Sequence, residues 1–421
     1  MSTKFTEEDV HQHLYKQGLE TLIVDAPGID DVAEPLADDA EVSHADDGEE
    51  TEFRLWQVIK ARALEKLTGL HRTIRYSEFI GSKIKLPTDK TTPMELDLLG
   101  QHEDGLFILE LKVDRAAERN AFSELFAYSN YIAGLFTPSG HKDITNVLVA
   151  RLENKITRQA FLYDLLIADR NIIVYTPDFP DGSIESMRLH LHIPTDDDFL
   201  SFTNQLLSHD AMSCVVASFN DLEDWFDSKE EDGILRDYTK KHLEALSNYT
   251  AQLMESEHLH GFCFIRKPWQ EVPRFYRNSL FICAINPFRA AGMDGTNVIS
   301  EQLEERFRTT FFEIPDAGFY GRLTAIAKRA IKDCLTHDYD CELELPLWSA
   351  IVVSPVEVAI THNFGFRPTG LLREAYVSRL NSSYAREAAG GYAEDLSILK
   401  INEINNWLRA WMFMEGCGFA G

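Results

Sequence analysis

At 421 residues the chain is long enough for two or three domains, each with its own buried core. Its 44% hydrophobic and 26% charged residues are ordinary for a globular protein, and no apolar run reaches the ~20 residues of a membrane span. A formal net charge of −27 excludes a chain that is basic throughout, the usual footprint of a nucleic-acid enzyme.

Taken in order, residues 5–24 (FTEEDVHQHLYKQGLETLIV) read as a short helix, suited either to docking or to packing back on the core. The start MSTKFTEEDV lacks the basic-then-apolar order of a signal peptide, so a cytoplasmic location is expected. From Asp25 to Glu52 there is no Lys or Arg, which reads as a solvated acidic linker; mimicry of nucleic acid or docking to a basic partner is the sharper alternative. Residues 53–70 form an amphipathic helix, with Trp56, Ile59, Ala63, Leu67 and Leu70 at helical spacing. Extended segments follow at 73–85, 94–100 and 106–113, then a helix over 116–135, a strand at 146–152, a helix at 156–169 and strands at 171–177 and 187–193. This α-β-β-β-α-β order predicts an α/β domain over 52–193 with a mixed sheet. The acidic, broken stretch 194–235 reads as a connecting region, and 236–421 as a carboxy-terminal α+β domain with helices at 238–258, 299–312 and 321–335 and strands at 279–286 and 347–353. Six cysteines, all in the carboxy-terminal half and none in a CxxC pair, read as buried thiols rather than a zinc site or disulfides.

The chemistry-bearing residues fall on two adjacent strands. In MELDLLG, Glu95 and Asp97 point away from Met94, Leu96 and Leu98; in FILELKV, Glu110 and Lys112 share the face opposite Leu109 and Leu111. If the turn QHEDG makes these strands neighbours, Asp97, Glu110 and Lys112 converge. Three ionisable groups on one face of a covered sheet are costly unless paired or metal-bound. A buried ion pair or a solvated hairpin would also accommodate them. Phosphodiester hydrolysis needs this combination, because a divalent cation is held by one or two carboxylates and a nearby lysine stabilises developing negative charge.

The pattern M-E-L-D-L-L-G followed by E-L-K resembles the active-site hairpin of the PD-(D/E)XK nuclease superfamily, in the style of RecB-like and archaeal resolvase-like nucleases. The resemblance covers about 52–193 and implies a nuclease core, with Asp97, Glu110 and the Leu111 carbonyl holding Mg2+ (or Mn2+) and Lys112 as the positioned cation. Family members often carry Gln-x-x-x-Tyr on the next helix; here Glu124 and Tyr128 stand at that place, Glu replacing Gln, and Leu96 replaces the proline before the aspartate. A glutamate on the preceding helix is also expected. Glu52 lies about 40° from Trp56 around that helix and Glu65 about 180°, which favours Glu52; Glu78 and Glu95 are further possibilities.

Arg72, Arg75, Lys83, Lys85, Lys90, Arg115, Arg119, Lys142, Lys155 and Arg158 are available to track phosphates or to solvate the surface. Basic residues interleaved with Trp269, Phe275, Tyr276 and Phe288 suit base stacking or an aromatic core. Residues 321–376 weakly resemble the later part of a GNAT-type acetyltransferase, although the pyrophosphate-cradling loop is replaced by DAGFYGRL. The expected activity is therefore Mg2+-dependent cleavage of nucleic acid, most simply DNA, of a prokaryotic defence or restriction kind. The alternatives are a nuclease-fold interaction protein and an acetyltransferase-like enzyme. The acidic charge makes a protein partner or homo-oligomer part of that expectation.

Overall fold

The computed structural model describes residues 5–26, 55–87, 94–113, 117–136, 142–206, 211–219, 236–268, 278–290, 313–335, 341–346, 361–373 and 376. They fall into two compact units divided near Asp196. Among the described residues no helix is long and apolar enough to cross a membrane.

In the first unit, α1 (Glu7–Gln17) starts at a capping box, in which Thr6 Oγ1 accepts the Asp9 N–H and the Asp9 carboxylate accepts the Thr6 N–H. Gly18, with φ of +77°, separates it from the single turn α2 (Leu19–Leu22), so the one helix expected over 5–24 is broken. This segment packs back on the unit. Val10, Leu14, Leu19, Leu22 and Ile23 are buried, and Ile23 bridges Leu189. Each such side chain contributes about 1.5–3 kcal/mol at most.

Helix α3 (Leu55–Arg75) runs further than expected, because Leu67, His71 and Ile74 continue its buried stripe through residues whose β-branched character suggested a strand. Strands β1 (Glu78–Leu86), β2 (Met94–His102) and β3 (Gly105–Lys112) form an antiparallel meander. A 3-10 turn (Ala117–Asn120) and α4 (Ala121–Leu135) lead to β4 (Ile144–Ala150), and α5 (Lys155–Leu166) leads to β5 (Ile172–Asp178). Both of these strands pair in parallel, and β6 (Arg188–Leu191) closes the edge antiparallel to β5. The six strands lie in sequence order in one mixed sheet. The continuous apolar runs of β4 and β5 are those of strands covered on both faces.

The stretch read as connecting contains α6 (Asp196–Leu206) and β7 (Met212–Ser218). The run MSCVVAS is buried at every residue and lacks alternation, which hides a strand from any period-2 reading. With β8 (Gly261–Pro268), β9 (Ser279–Ile285), β10 (Glu342–Glu344) and β11 (Thr361–Thr369), β7 builds an antiparallel sheet in the order β10-β7-β9-β8-β11. Helix α7 (Asp237–Ser256), a short α8 (Pro287–Ala290) and α9 (Glu313–Cys334) complete the second unit. Leu243 and Leu246 of α7, and Leu323 and Ala327 of α9, share a core with Val215, Ile265 and Ile282 of the sheet. Phe288 packs on this core, and Cys214, Cys263 and Cys283 are free and buried. Residues 299–312 and 347–353, Trp269, Phe275, Tyr276, Cys417 and most of the acidic run 25–52 lie outside the described residues.

Candidate active site at the end of strand β3

The pairing of β2 with β3 ends at Leu98 and Leu109, so Asp97 and Glu110 are the next residues along both strands. The β1–β2 ladder keeps its register past this level, its one shift lying between Phe79 and Gly81. Pairing holds at Ser82–Leu98 and Ile84–Leu96, but Lys83 between them has φ of +49°. Asp97 therefore lies one residue past the end of the β2–β3 pairing, and its carboxylate acts as acceptor there: Oδ2 receives the Leu111 N–H at 2.9 Å.

Around Asp97 the expected residues come together. Lys112 Nζ donates to Glu110 Oε1 at 2.6 Å and lies 2.9 Å from Glu124 Oε2. Glu110 is 3% exposed and the Lys112 side chain 10%. Glu110 Oε2 is buried without a hydrogen-bond partner among the described residues. Tyr128, one helical turn beyond Glu124, is buried beside the carboxylates.

One contributor was not read from the sequence. Glu7, in the first turn of α1, is half-buried within electrostatic reach of Lys112, Asp97 and Glu124, and hydrogen-bonds the Val113 backbone. Its neighbours on α1 secure that position. Glu8 forms an ion pair with Lys83, and His11 Nε2 lies 3.2 Å from the Asp97 carbonyl. The available signal was the spacing of Glu7, His11 and Leu14 on one stripe of a well-capped helix. Of the glutamates considered for that role, Glu65, Glu78 and Glu95 are exposed, and Glu52 lies outside the described residues. Glu65 adjoins Lys66, whose partner Asp169 precedes β5, at the opposite end of the parallel strands from Lys112.

Four carboxyls thus face one ammonium, and the titration behaviour follows. Burial, then Asp97, pushes the Glu110 carboxyl up to about 8 against the pull of Lys112. Burial also raises Asp97 and Glu7. Burial opposes the Lys112 ammonium, but Glu110 and Glu124 outweigh it and hold the lysine above its ordinary value. Burial and the carboxylates together push the Tyr128 phenol up to about 12, so it stays neutral near pH 7. One cation cannot satisfy every carboxyl, so the most buried one is a weak acid while the surrounded ammonium holds its proton firmly.

Among the described residues no group of three or more His, Cys, Asp and Glu side chains is arranged to hold a metal ion. A magnesium site of one or two carboxylates, a carbonyl and waters makes a smaller demand. The donors present fit it. Glu110 Oε2 is a hard oxygen with no hydrogen-bond partner within 3.5 Å among the described residues, and the Asp97 carboxylate binds the neighbouring Leu111 amide. Several of the basic residues considered for phosphate contact are instead committed locally: Arg75 to Asp25, Lys83 to Glu8, and Lys142 to Asp169 at 2.6 Å. Comparison with protein-family models, with curated proteins and with solved structures finds no match.

Proposed function

We propose that the first unit is a PD-(D/E)XK-type nuclease domain hydrolysing phosphodiester bonds, most simply of DNA, with Mg2+ or Mn2+ as cofactor. The observation that carries this reading is the convergence of Asp97, Glu110, Glu124 and Glu7 on Lys112, just past the end of the β2–β3 pairing. The element order and the antiparallel-then-parallel pairing of β1 to β4 are compatible with that family's core.

In this reading Asp97, Glu110 and the Leu111 carbonyl hold the cation, which when bound lowers the pKa of water and neutralises phosphate oxygens. Lys112 presents its ammonium to the negative charge that develops at phosphorus. Glu124, less buried than Glu110, restrains the lysine from the solvent side. Glu7 supplies the helix carboxylate that the family resemblance calls for, on α1 rather than α3. Tyr128 remains a neutral donor.

Cleavage of plasmid DNA with Mg2+ or Mn2+ tests this, with Asp97→Ala and Lys112→Ala compared for folding by circular dichroism. Cleavage by the wild type, lost in both folded variants, is expected. The pairing of Lys112 with both Glu110 and Glu124 favours a second reading, an interaction protein whose site is held closed by ion pairs. Equal behaviour of wild type and variants would select that reading.

A further inference from the structure

His11 is 5% exposed, yet it points a ring nitrogen at the candidate site. Its Nε2 lies 3.2 Å from the Asp97 carbonyl and 3.3 Å from Ser82 Oγ. A carbonyl can only accept, so Nε2 carries a hydrogen. Nδ1 is buried without a hydrogen-bond partner among the described residues. The target is unusual as well. Asp97 lies one residue beyond the last β2–β3 pair and across from Lys83, whose φ is +49°. Val10 and Leu14, fully buried on α1, and the Glu8–Lys83 ion pair fix the ring from its own helix.

We infer that His11 is a positioning residue for Asp97, its Nε2–H holding the Asp97 carbonyl where the β2–β3 pairing has ended and thereby keeping the carboxylate on the Leu111 amide. The inference concerns orientation of one side chain; its catalytic importance rests on the nuclease reading, whereas the orientation itself does not.

A histidine that merely fills space is best replaced by leucine. One that acts through Nε2–H is best replaced by glutamine, whose amide nitrogen reaches the place of Nε2, and not by asparagine, which reaches only that of Nδ1. Amide hydrogen exchange resolved by NMR reads the result at Leu111, scaled to Val149 in the core strand β4 so that global destabilisation cancels. Exchange at Leu111 relative to Val149 is expected to be about tenfold faster in His11→Leu and His11→Asn, the loss of roughly one hydrogen bond, and near wild type in His11→Gln. With plasmid DNA and Mg2+, kcat is expected to fall in the same two variants at unchanged KM. An unchanged Leu111 ratio in His11→Leu, or rescue by asparagine as complete as by glutamine, overturns the inference. Failure of the wild type to cleave would sink the nuclease reading instead, and the exchange ratio would still decide the role of His11.

Discussion

Leu111 and Asp97 are joined by a hydrogen bond that belongs to no strand ladder: the Leu111 amide donates to Asp97 Oδ2 at 2.9 Å, one residue beyond the last pair of β2 with β3. The carboxylate therefore has two separable duties, since it replaces a missing backbone acceptor and it carries charge into the site.

Substitution separates these duties. Asp97→Asn keeps an oxygen for the Leu111 amide and removes a charge that burial disfavours, so its urea midpoint is expected to stay close to wild type. Asp97→Ala leaves the amide unpaired and should cost about 1–3 kcal/mol. Both should lose Mg2+-dependent cleavage by at least ~100-fold if the charge holds the cation. Retention of cleavage in Asp97→Asn would remove Asp97 from the ligand set.

Glu110 makes stability depend on pH in the direction opposite to an ordinary salt-bridged carboxylate. The unfolded chain ionises this group near 4.5, the folded chain near 8. Between those values the folded state keeps a proton that the unfolded state has released, so its stability falls as pH rises through the window and is fully present only below it. Glu110→Gln cannot ionise and escapes the penalty. It should match wild type near pH 4.5 and exceed it at pH 9 by on the order of a few kcal/mol. Chemical melts of both proteins at the two pH values, without divalent cation, give the comparison, and a variant less stable than wild type at pH 9 would contradict it.

Much of this site was legible because the relevant geometry is local. Alternation along MELDLLG and FILELKV put Asp97, Glu110 and Lys112 on one face, and a four-residue helical spacing joined Glu124 to Tyr128. Glu7 was not legible: its proximity to Lys112 is a contact between residues more than a hundred positions apart, across an acidic run that carries no periodic signal. Glu65, set about 180° from Trp56 by the helical angle, is exposed, as that angle implies, whereas Glu52 lies outside the described residues. In the second unit β7 was hidden for a different reason, since a uniformly apolar run between acidic blocks carries no alternation to read.

The amino-terminal segment is a structural part of the first unit. Leu14 is fully buried, and α1 places Glu7 and His11 at the site. Leu14→Ala should cost about 2–5 kcal/mol, as large-to-small changes in packed cores do. Limited proteolysis should then cut within β1 to β3 of the variant under conditions where wild type resists. Resistance equal to wild type would mean that α1 contributes little to holding the meander.

Divalent cation and proton should compete for Glu110. A cation bound through Glu110 Oε2 requires the ionised carboxylate, which is the minor form until pH approaches about 8. Binding should therefore strengthen from pH 6 to pH 9 by up to about tenfold per pH unit, and the rise in thermal midpoint produced by a fixed Mg2+ concentration should grow in step. The cation also offsets the penalty described for ionised Glu110, so the midpoint of the loaded protein should vary less with pH than that of the free one. Glu110→Gln removes both the competing proton and the donor charge, and its midpoint should respond weakly to Mg2+ at either pH. Calorimetric titration of Mg2+ at pH 6 and pH 9 on wild type and Glu110→Gln measures this directly. Binding equally strong at both pH values would place the cation away from Glu110 and return that carboxyl to a purely structural partnership with Lys112.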